Sequence, residues 1–301
     1  MLAGLGPPAR MYMNNYTLID TAEKLKNVLQ LWKDKQINTI ACDFEGEFNL
    51  HVYGEHLCLI QLYDQSNYYL VDPLALVKED LALLLEDEKV ELVMFDCASD
   101  AALVRKQYAI TLKGVYDIRI GAQLLGLRGN LTSLMAHFLN IEATGSKKGN
   151  QKANWLIRPL TSEMITYALG DVEHLFALRS AIDRELKNQG LFEKNLELQQ
   201  TVALAKRPDR PGYEKLDGWR FLSKKEKLYV AAFFMARDQM AQKLNWPPYR
   251  VLGKKQLVLL GKQGAKGEAD LAASVSHLRP SVQEPFLKLL SQAREKVDQK
   301  G

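Results

Sequence analysis

Cysteine is scarce in this sequence: Cys42, Cys58 and Cys97 are the 3 among 301 residues. They form neither an even set nor a C-x-x-C pair, so neither a disulfide framework nor a zinc site is indicated. Cys42 and Cys58 fall in strand-like runs and read as small core residues. No apolar run approaches the roughly 20 residues that a bilayer span requires, so no membrane partner is expected. The first 15 residues contain Pro7, Pro8 and Arg10 but no apolar stretch of the signal-peptide kind. Residues 1–16 are therefore expected to be a disordered extension, and the location cytoplasmic. Internal repeats and low-complexity tracts are also lacking. What is present, 47% hydrophobic and 25% charged residues, is the composition of a soluble globular protein long enough for two domains.

Charge is unevenly spread. Residues 201–301 carry 20 Lys and Arg against 10 Asp and Glu, so the first 200 residues hold the remaining 20 against 26. An acidic part able to hold metal is joined to a basic part able to hold a polyanion.

Hydrophobic periodicity predicts a helix over residues 20–32 capped by Asp20, then a buried strand over 37–42. Strand-like runs at 57–62 and 68–71 are separated by Asp64, Gln65, Ser66 and Asn67, which predicts an antiparallel meander. A short helix at 81–85 and a strand at 90–95 follow, then helices at 100–108, 118–125, 131–139 and one long helix over 162–189. This order predicts a mixed α/β sheet with helices on its faces. Lys206-Arg207-Pro208-Asp209-Arg210-Pro211-Gly212 has linker composition. Ser223-Lys224-Lys225-Glu226 is a capping box opening a helix that Asn245-Trp246-Pro247-Pro248 ends. Shorter helices follow, the last over 282–297. The expected parts are 1–16, a domain at 17–200, a linker at 201–222 and a helical domain at 223–301.

Three segments place acids for chemistry. In Cys42-Asp43-Phe44-Glu45-Gly46-Glu47, alternation along a strand sends Asp43 and Glu45 to one face. Paired carboxylates repel unless a cation lies between them, and an oxygen-only set suits Mg²⁺ or Mn²⁺ rather than zinc. A strand running out into a solvated acidic turn has the same pattern. Asp100 opens a helix, where the dipole favours an ionised carboxylate, as it does for an ordinary capping residue. Tyr167 and Asp171, four apart, share a helix face. Gly170 costs that helix about 1 kcal/mol relative to alanine, a hint that something approaches its backbone.

Together these residues resemble the DEDD superfamily of 3′-to-5′ exonucleases: D-x-E on a first strand, a lone Asp after a later strand, then Y-x-x-x-D on a late helix. The tyrosine marks the DEDDy branch, since the histidine branch needs H-x-x-x-x-D and Thr166 stands there. Gln151, Asn154-Trp155, Arg158-Pro159-Leu160 and Tyr167-Ala168 look like the ribonuclease D signature. Ala236-Arg237-Asp238-Gln239-Met240-Ala241, Asn245-Trp246-Pro247-Pro248 and Val251-Leu252-Gly253-Lys254-Lys255-Gln256-Leu257 resemble the HRDC domain shared by RecQ-type helicases and ribonuclease D. Two departures stand out. Asp96 occupies a position where family members often carry histidine, and Glu47 adds an acid of the same strand parity as Asp43 and Glu45. Glu45 is chosen over it from the family spacing, not from geometry.

The resemblance implies a ribonuclease-H-like mixed-sheet exonuclease domain followed by a small all-α HRDC domain. It implies two divalent ions, Mg²⁺ or Mn²⁺, with Asp43 bridging both, Glu45 and Asp171 completing the first site, Asp100 holding the second ion directly or through water, and Tyr167 orienting the attacking water. The implied substrates are single-stranded RNA 3′ ends, such as those of transfer RNA precursors or other structured RNA, shortened to 5′-mononucleotides. DNA exonuclease action and a non-catalytic nucleic-acid-binding module are the rivals; no protein partner is implied. All five active-site positions carry the expected residue, which argues against the second rival.

Candidate RNA contacts are Lys147, Lys148 and Gln151 in a basic loop, Arg158 beyond it, and Lys224, Lys225, Lys227, Lys254 and Lys255 in the tail. Tyr229, Phe233, Phe234 and Trp246 read as core. His174 would lie on the helix face of Asp171, packed or solvent-facing rather than ligating, and Asp117 as the cap of the helix after it. RNA affinity of the tail is expected to fall steeply between low and moderate salt in a binding titration; a flat response excludes the lysine contacts.

Overall fold

A computed structural model describes residues 15–141, 152–202 and 210–299, and the chain divides into two units, Met1–Glu47 with Glu55–Lys206 and Phe48–Gly54 with Arg207–Gly301. The first unit is built on a six-stranded mixed sheet in the order β1-β4-β3-β2-β5-β6. Its strands are β1 (Tyr16–Ile19), β2 (Thr39–Phe48), β3 (Glu55–Tyr63), β4 (Tyr68–Val71), β5 (Glu91–Met94) and β6 (Val115–Asp117). β3 and β4 form the expected antiparallel meander, with Ile60 opposite Val71 and Tyr63 opposite Tyr68. β2 runs parallel to β5, with Thr39 beside Glu91 and Ala41 beside Val93. β1, which falls before the first expected helix and takes in Tyr16, pairs in parallel with β4.

The eight helices described in this unit are α1 (Ala22–Asp34), α2 (Lys78–Leu85), α3 (Ala98–Tyr108), α4 (Ile118–Leu124), α5 (Leu131–Leu139), α6 (Ser162–Val172), α7 (Leu175–Asn188) and α8 (Phe192–Val202). They cover both faces of the sheet. Ile40, Cys42 and Phe44 of β2 join a core with Trp32 of α1, Leu81 and Leu84 of α2 and Val104 of α3. Ala41 joins another with Ile118 of α4, Leu134 of α5 and Leu178 and Ile182 of α7. Successive residues of β2 thus point to opposite layers, and each fully buried aliphatic side chain contributes about 1.5–3 kcal/mol. Asp43 and Glu45 have the parity of Ala41.

Four local expectations are corrected. The cap of α1 is Thr21, whose hydroxyl accepts from the Lys24 N–H at 3.2 Å; Asp20 instead pairs with the Lys24 ammonium at 2.6 Å. The first strand continues past Cys42 to Phe48, so the acids sit within it. The long helix is two helices, broken at Glu173 and His174. The break divides the work of two cores: Met164, Ala168 and Leu169 pack with Trp155 and Leu59, whereas Leu175, Leu178 and Ile182 pack with Tyr116 and Ile118. Lastly, a helix absent from the expected order, α8, follows α7; the residues it buries are Asn195 and Gln199.

The second unit contains α9 (Lys224–Leu244), α10 (Pro248–Val251), α11 (Lys254–Lys266), α12 (Leu271–Val275) and α13 (Pro280–Asp298), preceded by single turns at Gly212–Lys215 and Trp219–Phe221. The Ser223–Glu226 capping box is present in both directions, and Asn245, in the left-handed region at φ 50°, ends α9. Tyr229, Val230, Phe233 and Met240 of α9 form the core with Leu257 and Leu260 of α11 and Phe286 and Leu290 of α13. Trp246 is half-buried, with the Arg250 and Arg279 guanidinium carbons 4.8 and 5.3 Å from its ring centroid. α11 approaches α9 at Gly261, where a Cβ would stand 2.2 Å from Val230 Cγ2 and 2.9 Å from its backbone nitrogen. No helix among the described residues is long and apolar enough to cross a membrane. Gly261→Ala is expected to destabilise this unit by about 1–3 kcal/mol through overpacking, read as an earlier transition in chemical denaturation of the full chain.

Candidate active site

β2 carries Asp43 and Glu45 in the middle of the sheet, and α6 brings Asp171 to them: one carboxylate oxygen from each lies within 4.8 Å of the others. Three acids from two elements stand so close that their charges repel. The Glu45 carboxyl is pushed up to about 10, first by burial and then by the charges of Asp43, Asp171 and Asp100. The Gln61 amide nitrogen donates to it at 3.3 Å. A divalent cation among these oxygens would relieve that repulsion, and the all-carboxylate donor set suits a hard ion. The residues therefore fit a metal.

Geometry separates Glu45 from Glu47. Both have the parity of Asp43, yet among the described residues only Asp43, Glu45 and Asp171 form an acidic group able to share an ion. Glu47 is buried apart from that group.

Asp100 stands aside from the three. It lies in the first turn of α3, whose cap position is Cys97, so it does not cap the helix. Burial, then the charges of Asp96 and Asp117, push its carboxyl up to about 7, and its own charge acts on Glu45. Tyr167 lies one turn before Asp171 on α6. Burial and the charges of Asp171, Glu45 and Asp43 push the phenol well above its ordinary value. At neutral pH it is a hydrogen-bond donor, not a base. Trp155, buried beneath, sits with its ring centroid 6.0 Å from that of Tyr167. Among the described residues no group lies within 4 Å of where a Gly170 Cβ would stand, so none of them requires the glycine.

Other expected contacts are distributed differently. Lys147, Lys148 and Gln151 lie outside the described residues. Lys224, Lys225, Lys254 and Lys255 are exposed in the first turns of α9 and α11. His174 stands at the helix break, its Nε2 3.6 Å from the Glu173 carboxylate. Arg158 is engaged within the fold. Its Nε and one terminal nitrogen donate to the two oxygens of Asp72 at 2.6 and 2.8 Å, and the guanidinium also reaches the carbonyls of Cys58, Trp155 and Ile157. Gln61 was not anticipated, because a glutamine inside an apolar strand run gives no local signal.

Similar folds occur among solved structures. The catalytic core of RRP6 from Trypanosoma brucei matches with a TM-score of 0.75 and 21% identity, covering 95% of this chain and 81% of that one. RNase D from Escherichia coli, described as an exoribonuclease involved in structured RNA processing, matches at 0.71 and 21%, covering 94% and 75%. The first unit thus shares the α/β fold of these structures and carries an acidic centre. A model of the 3′-5′ exonuclease family matches residues 16–187, more than half of the sequence, and the chain belongs to that family, which is dependent on divalent metal. Among curated relatives, ribonuclease D of Pseudomonas paraeruginosa is 30% identical over 223 residues, covering 71% of this chain and 58% of its own length. The chain spans less than two thirds of the length of such relatives.

Arg158→Ala is expected to cost roughly 3 kcal/mol in urea unfolding, because it leaves the buried Asp72 carboxylate without its partner. Unchanged stability with weakened RNA binding would return Arg158 to the substrate side.

Proposed function

We propose that the chain is a metal-dependent 3′-5′ exoribonuclease that trims single-stranded RNA 3′ ends and releases 5′-mononucleotides. The observation that carries this reading is the meeting of Asp43, Glu45 and Asp171 oxygens within 4.8 Å, with Tyr167 one turn before Asp171 on the same helix. Asp43, Glu45 and Asp171 would hold one Mg²⁺ or Mn²⁺ ion; Asp43 and Asp100 would hold a second. When bound, such ions supply an activated water and charge stabilisation for the leaving 3′-oxygen.

The chain's own residues do the rest. Asp43 and Glu45 are fixed by β2, and Asp171 is presented by α6, so the ligands are preorganised by two elements. Tyr167, protonated at neutral pH, donates a hydrogen bond and orients the water without taking its proton. Gln61 restrains Glu45.

The second unit serves as a basic, HRDC-like RNA-binding module. Lys224, Lys225, Lys254 and Lys255 lie in the first turns of helices, where the macrodipole opposes a cation by about 0.3–1 kcal/mol. Helix stability therefore does not account for them, whereas contacts to phosphate do. The relatives named ribonuclease D favour RNA, with transfer RNA precursors and other structured RNAs as the substrate class. The three buried free cysteines suit a reducing, cytoplasmic setting.

A 5′-labelled RNA with a short 3′ tail tests the reading. Wild type with Mg²⁺ or Mn²⁺ is expected to give a ladder shortening from the 3′ end, abolished by chelator, Asp43→Asn or Asp171→Asn. RNA that is bound and uncut would overturn it, and a matched DNA strand in competition checks the 2′-hydroxyl preference. In the same assay, Tyr167→Phe is expected to lower single-turnover rate by roughly 10²-fold with little change in the Mn²⁺ concentration giving half-maximal rate; equal loss of both would remove the orienting role.

A further inference from the structure

Asp100 is the proposed ligand outside the close group of three acids, so whatever fixes its backbone decides whether a second ion finds a complete site. The chain enters α3 through Asp96, whose φ of 58° lies in the left-handed region, a conformation that costs a residue with a Cβ roughly 1–2 kcal/mol. Cys97, at the cap position, makes no side-chain cap bond.

The turn before α3 is held instead from 20 residues further along the chain. The carboxylate of Asp117, 3% exposed, accepts from the Asp96 N–H at 2.8 Å and the Cys97 N–H at 3.0 Å. It also accepts from the Arg119 N–H at 2.9 Å, the cap of α4 expected for it. One carboxylate thus ties the beginnings of two helices, and three N–H bonds to a buried anion are strong ones.

Asp117 is held in turn. Gln199 of α8 accepts from the Asp117 N–H at 2.7 Å and donates to its carbonyl at 3.0 Å. The same amide donates to Asn195 at 3.0 Å, and Asn195 donates to the Tyr116 hydroxyl at 2.9 Å. Tyr116 donates to Asp183 of α7. Asn195 and Gln199 are the buried residues of α8. The packed face of that helix is therefore devoted to β6 and, through it, to the turn before Asp100.

We infer that Asp117 is a positioning residue of the nuclease site: through the Asp96–Cys97 turn it sets the place of Asp100, and with it the affinity for the ion that Asp100 holds, with Gln199 as its support. This rests on the two-ion reading above. Groups that orient a metal ligand typically change affinity by 10–100-fold when removed. Asp117→Asn presents an amide nitrogen where a backbone N–H needs an acceptor. Gln199→Met keeps shape and charge while deleting the three bonds, so weakening there is not the loss of a negative charge.

Mn²⁺ is titrated by electron paramagnetic resonance into the full chain with saturating nucleoside 5′-monophosphate, the product, for wild type, Asp100→Asn, Asp117→Asn and Gln199→Met. Circular dichroism melting reports folding. Wild type is expected to bind two ions and Asp100→Asn to weaken one of them. Asp117→Asn and Gln199→Met are expected to weaken that same ion about 10-fold or more, leaving the other within about twofold. Should Asp117→Asn fail to fold, Gln199→Met carries the test alone. Variants that bind both ions like wild type, or weaken both equally as general loosening would, overturn the positioning role while the two-ion reading stands. Asp100→Asn binding like wild type removes the two-ion reading and this inference with it.

Discussion

Carboxylates brought together out of water repel one another, and the first unit is arranged around forcing that encounter. Asp43, Glu45 and Asp171 present oxygens within 4.8 Å, and burial, then the charges of Asp43, Asp171 and Asp100, push the Glu45 carboxyl up to about 10. A low-dielectric setting makes the repulsion large and, equally, makes a cation placed there strongly held. The repulsion is withstood because the acids sit on elements that apolar packing fixes independently. β2 is anchored on one side by Ile40, Cys42 and Phe44 and on the other by Ala41. α6 is anchored by Met164, Ala168 and Leu169 against Cys58, Leu59 and Leu70.

The break between α6 and α7 follows from the same constraint. A single straight helix would have to serve the Trp155 core and the Tyr116 core with one stripe. Breaking at Glu173 and His174 lets each half turn its own apolar face inward, and Asp171 comes to lie beside the end of the first half.

Polar burial does in this fold what apolar burial does elsewhere. Arg158 spends its donors on Asp72 and three backbone carbonyls, and so joins the segment before α6 to the β3–β4 meander. Asn195 and Gln199 join α8 to β6. Such connections are directional and tolerate little displacement, unlike an apolar contact that can slide. They occur beside the parts of the chain that carry the active-site acids, where position matters most.

Much of this was legible in the sequence. Alternation in Asp43-Phe44-Glu45 and the four-residue spacing of Tyr167 and Asp171 are local relations, carried by backbone geometry whatever the rest of the chain does. So are the Ser223–Glu226 capping box and the Asp64–Asn67 turn. Other features were not legible, because their partners are far apart in the chain. Gln199 meets Asp117 across 82 positions, and Arg158 meets Asp72 across 86. The same holds for Glu45 and Glu47, which strand parity does not separate: it is Glu45 that meets Asp43 and Asp171. The sequence by itself determined the chemical types, their order and their local spacing. Tertiary structure decided which acids meet, which basic side chain is spent on the fold, and that α8 turns a polar face inward, because hydrogen bonds and charge pairs depend on distances in space that no local periodicity encodes.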